Sequence, residues 1–197
     1  MGVTEPQAGP VSGYLGGDDV VEIAHPEIRR LAAELRTGGG DVDFARRAFE
    51  LVRDRVRHSV DAQDPRVTLS ASEVLEAGVG LCYAKSHLLV ALLRAGCVPA
   101  GLCYQRLGDD AGGFALHGLV AVHLDGAWHR LDPRGNRPGI EAEFSLGEER
   151  LAYVVDESRG EVDYREVWAA PSPAVVAALR GADDVLALCE GELPTAP

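Results

Sequence analysis

The chain has 197 residues, enough for one domain with a full core or for one domain with a short appendage. Its 46% apolar and 25% charged content is that of an ordinary soluble globular protein, and the net charge of −12 argues against nucleic-acid backbones and anionic membranes, which both call for a basic face. No basic-plus-apolar leader and no apolar run near ~18 residues is visible, so a cytoplasmic location is expected. Cys82, Cys97, Cys103 and Cys189 form no C-x-x-C pair, which predicts free thiols.

Residues 1–20 are rich in Gly, Pro and small polar residues and read as a loose arm. His25-Pro26 opens a helix, with Pro26 at the first helical position, and Gly38-Gly39-Gly40 ends it. Asp41 is placed to cap a second helix, whose apolar period runs from Phe44 to about Arg57. A polar, proline-containing connection, HSVDAQDPRV, follows. Ser70 and Glu73 match a capping box before a short helix stopped by Gly78.

The stretch from Gly78 to Gly96 organises the rest. Leu81, Leu88, Leu89, Leu92 and Leu93 recur at helical spacing, and Gly96 stands where a helix C-terminal glycine belongs. No Ser, Thr, Asp or Asn lies between Gly78 and Cys82, so the first amides of this helix lack a side-chain cap. Such an end favours a thiolate or an oxyanion, which is how an activated cysteine is presented. A lone cysteine there is more often a small buried hydrophobe, and its meaning depends on partners downstream.

After Gly96 the period changes. Residues 98–107 and 116–124 read as strands, with GDDAGG as the turn between them, and Asp125-Gly126 as a hairpin turn into the return strand 127–131. A Gly/Pro-rich loop, a second capping-box match at Ser145 and Glu148, a strand near 162–167 and a helix from Pro173 complete the chain. Helices first and an antiparallel sheet afterwards predict an α+β fold. We expect a domain over residues 21–170 with a helical extension, 171–197, packed on it.

With Asp125-Gly126 as the loop, Leu124 pairs with Ala127, His123 with Trp128 and Ala121 with Arg130. Gly118, Val120, Val122, Leu124 and Leu131 then share the core face. His117 and Asp132 fall on the other face as diagonal neighbours roughly 7 Å apart at Cα, within side-chain reach. A cysteine nucleophile needs a base, and the base needs a group that fixes its tautomer. Cys82, His117 and Asp132 can fill those roles. Taken singly, His117 reads as a hydrogen-bonded core histidine and Asp132 as the start of an Asp-Pro turn.

These segments resemble the transglutaminase-like cysteine enzymes, which share their core with papain-type folds. The resemblance rests on Gly80-Leu81-Cys82 before the apolar helix, Ala95-Gly96-Cys97-Val98-Pro99-Ala100 after it, HGLVAV with His117, and GAWHRLDP with Asp132, and it covers roughly residues 41–137. It implies a Cys82–His117–Asp132 triad that forms an acyl-enzyme from an amide or thioester on a peptide or small molecule, resolved by an amine or by water. Two residues depart from the common pattern: Leu119 stands where many relatives carry Trp, and Tyr83 rather than Trp follows Cys82. No calcium-binding D-x-D-x-D-G loop is present, and no cofactor is implied. The rival readings are a thioester-dependent N-acyltransferase with the same triad and a binding module whose triad is vestigial.

Several other residues are candidates for substrate or oxyanion contacts. Lys85, the only lysine, lies one turn beyond Cys82 and either acts on the thiol or substrate or packs against the helices. His58, Ser59 and Gln105 could line the cleft or donate to an oxyanion, and Tyr83 and Trp128 could form its walls. Arg134 and Asn136 could orient Asp132, bind a carboxylate or simply pack a loop. His117, His123 and His129 do not predict a metal site, because strand residues six apart lie roughly 20 Å apart.

Overall fold

The computed structural model describes residues 6–109, 112–191 and 193–197. Its helices are α1 (Pro26–Leu35), α2 (Asp41–Arg55), the single turn α3 (Ser59–Ala62), α4 (Ala71–Ala77), α5 (Cys82–Ala95), α6 (Pro173–Gly181) and α7 (Val185–Cys189). The strands are β1 (Arg57–His58), β2 (Val79–Gly80), β3 (Ala100–Gly108), β4 (Phe114–Leu124), β5 (Ala127–Leu131) and β6 (Val162–Asp163). The last four form an antiparallel sheet in the order β5-β4-β3-β6, and β1 pairs with β2 in parallel. The architecture is the α+β fold expected.

Helix α5 is the centre of the molecule, packed between β4 and β3 on one side and α1, α2 and α4 on the other. Leu88, Leu89, Leu92 and Leu93 have no solvent exposure, each burial being worth about 1.5–3 kcal/mol. On the sheet side Val120, Val122, Leu124 and Leu131 join the same core, as the alternation along the strands requires.

The hairpin register is the one the turn predicts, with Leu124 opposite Ala127, His123 opposite Trp128 and Ala121 opposite Arg130. Asp125 and Gly126 both have positive φ, 51° and 83°, as a two-residue hairpin loop of this twist requires. The capping box of Ser70 and Glu73 is formed, and Gly78 closes α4 in the left-handed region at φ 63°.

Other expectations are corrected. The arm expected to be loose over residues 1–20 is tied down at points: the Gln7 backbone bonds to Arg165 and Val167, and Tyr14 is buried with its hydroxyl donating to the Val167 carbonyl at 2.8 Å, while most residues from Gln7 to Asp19 are exposed. Met1 to Glu5 lie outside the described residues, as do Asp110 and Ala111 of the GDDAGG turn. Asp41 is the first residue of α2 and Gly40 takes the cap position, with no side-chain cap bond. The connection HSVDAQDPRV contains β1's His58 and the turn α3. Gly96 has φ −86°, and the left-handed residue is Cys97 at 63°. Gly96 is needed for space instead, since a Cβ there would lie 2.3 Å from Cζ of Phe44. No helix follows Ser145, whose hydroxyl accepts from the Gly147 amide in a local turn.

Candidate active site

Cys82 is the first residue of α5, and Leu81 before it supplies no side-chain cap. Cys82 is 8% exposed and lines a cleft of about 660 Å³. What lets the helix start come so close to β4 is Gly118. A Cβ there would lie 2.9 Å from Cδ1 and 3.2 Å from Cα of Tyr83. The Gly118 amide thereby donates to Cys82 Sγ at 3.4 Å.

His117 precedes Gly118 on β4 and lines the same cleft as Cys82. Its Nε2 lies 2.8 Å from Oδ2 of Asp132, which has no solvent exposure. The Asp132 carboxylate is otherwise fully engaged: Oδ1 accepts from the Arg134 amide at 3.0 Å and Oδ2 from the Ala152 amide at 3.1 Å. Burial pushes the His117 imidazole down, but the Asp132 carboxylate and Cys82, through charge and hydrogen bonds, carry it well above its ordinary value. Burial likewise pushes Asp132 up, and His117 with the two amides holds it below the usual carboxylate range. The arrangement favours a positively charged imidazole beside the Cys82 sulfur.

The remaining sequence candidates divide. Tyr83 lines the cleft, with its hydroxyl donating to the Leu116 carbonyl. His58 lines it too, held by the β1–β2 pairing opposite Gly80; burial, then Arg134, push its imidazole down to about 3. Arg134 forms a two-pronged ion pair with Asp61, one prong at 3.0 Å, while its amide holds Asp132. Gln105 is buried directly across the ladder from His117, its Oε1 without a partner among the described residues, but it does not line the cleft. Ser59 is buried at the start of α3 and is likewise not in the lining.

Three candidates serve other purposes. Lys85 is turned to the end of α2, where its ammonium donates to the carbonyls of Val56 and Arg53, and it walls a separate cavity of about 360 Å³. Asn136 packs a loop by accepting from the Ala142 amide at 2.7 Å. Trp128 sits at the turn end of the hairpin, edge-on to Tyr14 with ring centroids 4.9 Å apart.

Sequence reasoning missed Tyr153, whose ring stands edge-on to His117 at 5.0 Å, and the neighbouring Ala152 amide. Both belong to an irregular segment, and no periodicity marks them. Gly118 was read only as part of the core face.

A cysteine at an uncapped helix start, set against an antiparallel sheet that carries a histidine, defines a papain-like α+β fold. Residues 29–133, more than half of the chain, match the model of the transglutaminase-like superfamily, and the chain belongs to that superfamily. Among solved structures it is similar to a candidate cysteine protease from Cytophaga hutchinsonii, at 16% identity and a TM-score of 0.51 over 66% of this chain and 46% of that one. It is also similar to the periplasmic domain of TgpA from Pseudomonas aeruginosa, at 21% identity and a TM-score of 0.44 over 56% and 43% of the two chains. The chain thus spans less than half the length of either structure. No curated protein matches.

Proposed function

We propose that the protein is a cysteine enzyme that transfers acyl groups, with Cys82 as nucleophile, His117 as general acid and base, and Asp132 as the group that orients His117. The observation that carries this reading is the meeting of an uncapped helix start at Cys82 with the buried His117–Asp132 pair. The Cys82 sulfur attacks the carbonyl carbon of an amide, and the C–N bond breaks as His117 hands its proton to the departing amine. Water or a second amine then gives a proton to His117, attacks the thioester carbonyl and releases Cys82. The Cys82 amide at the helix start is the donor for the intermediate's oxyanion. The acyl donor is a peptide or small molecule, and the acceptor is an amine or water.

Intact-mass spectrometry after exposure to glutamine-amide peptides and to thioesters tests this. An acyl adduct that disappears in Cys82→Ala and His117→Ala is expected. An adduct from thioesters alone would make the protein a thioester-dependent N-acyltransferase. No adduct, together with an alkylation rate of Cys82 unchanged by His117→Ala, would leave a binding module.

A further inference from the structure

Strand β5 leaves β4 at the pair Leu131–Val120, so among the described residues the edge of β4 before Val120 has no strand beside it on that side. Amides alternate along a strand, and Gly118 and Leu116 point to the same side as Val120. Both are occupied. The Gly118 amide meets the Cys82 sulfur at 3.4 Å, and the Leu116 amide donates to the Pro194 carbonyl at 2.7 Å. Two strand residues span about 7 Å, so residues 193–197 lie one repeat from the nucleophile. Leu193 is partly buried against the core and forms part of the cleft wall with Cys82 and His117.

We propose that the Leu116 amide, on the edge of β4 that β5 leaves uncovered, is the docking point for an extended peptide, and that residues 193–197 are its built-in occupant. This rests on the acyl-transfer reading for its substrate and names that substrate as a peptide strand. A peptide whose carbonyl replaces that of Pro194 on the Leu116 amide gains one main-chain bond, the Leu116 carbonyl being held by the Tyr83 hydroxyl, and passes the sulfur within about two residues. While the segment is in place, the fraction of molecules open to a peptide is reduced, and apparent affinity falls by that fraction.

The test is a chain shortened after Gly191, beside Leu193→Asp in the full chain, both checked for folding by circular dichroism and thermal unfolding. Two readings are taken: alkylation of Cys82, and anisotropy of a labelled peptide with the sequence of residues 191–197. The shortened chain is expected to bind the peptide saturably, and its Cys82 to be alkylated about tenfold faster than in the full chain if the segment is docked about nine-tenths of the time. Leu193→Asp is expected to shift both readings in the same direction and supplies them if the shortened chain does not fold. A folded variant with unchanged alkylation and no peptide binding would overturn the proposal. Peptide binding by a chain that forms no acyl adduct with glutamine-amide peptides or thioesters, and whose Cys82 alkylation is unchanged by His117→Ala, would instead sink the acyl-transfer reading and leave the docking site standing.

Discussion

His117 Nε2 and Asp132 Oδ2 lie 2.8 Å apart, which commits one ring nitrogen to the carboxylate and leaves Nδ1 as the nitrogen available to Cys82. Asp132→Asn keeps the shape but can hold the wrong tautomer. Acylation is expected to fall by about three to four orders of magnitude. Either orientation of the Asn amide turns its NH2 toward the Arg134 or the Ala152 amide, so a stability loss of about 1–3 kcal/mol is expected as well. Asp132→Ala removes the acceptor of the Arg134 and Ala152 amides as well, and is expected to cost about 3–5 kcal/mol in urea unfolding. Single-turnover acylation in Asp132→Asn within about tenfold of the parent would show that Asp132 does not orient the base.

Gly118 is where the sheet admits the nucleophile. Its replacement by Ala puts a methyl group 2.9 Å from the Tyr83 ring, so the helix start must move away from β4. A loss of about 1–3 kcal/mol is expected, with slower alkylation of Cys82. Urea midpoints and alkylation rates read the two effects, and an unchanged alkylation rate would mean that close approach at Gly118 does not set the thiol's environment.

The parts of this design that were legible in the sequence are local or depend on one turn. Asp125-Gly126 fixed a register, and the register placed His117 beside Asp132. Ser70 and Glu73 act within one turn of helix. The parts that were not legible depend on distant chain segments. Nothing near Tyr14 announces that Val167 will accept its hydroxyl, and nothing near Tyr153 announces His117. Ser145 shows the converse: a capping pattern without an apolar-periodic run behind it became a simple turn.

Lys85 is expected to matter for stability and its pH dependence, not for the thiol. Burial, then Arg134, push its ammonium down to about 7 in the folded chain, against an ordinary value of about 10.4 when unfolded. Between those values the unfolded chain holds the extra proton, so stability rises with pH by up to about 1.4 kcal/mol per pH unit. Lys85→Met removes that contribution. The difference in urea stability between parent and variant, measured across about pH 7 to 9, should shift steadily in favour of the parent. A constant difference would show that the buried ammonium stays charged.

His87 gives the acid side of the same logic. It has no solvent exposure, its Nδ1 lies 2.9 Å from the Leu69 carbonyl, and Nε2 has no partner among the described residues. Burial pushes its imidazole down to about 4, the Leu69 carbonyl opposing. An unfolded chain takes up this proton near about pH 6.5 and the folded chain only near 4, so the contribution is whole above 6.5 and is lost as pH falls toward 4, about 3 kcal/mol in all. His87→Leu leaves the Leu69 carbonyl unpaired and is expected to cost about 1–3 kcal/mol at neutral pH. Its stability should then fall less steeply than the parent's between pH 6.5 and 4, with some slope remaining from His58, which burial holds at about 3. Parallel curves for parent and variant would show that His87 is not the group that gates acid unfolding.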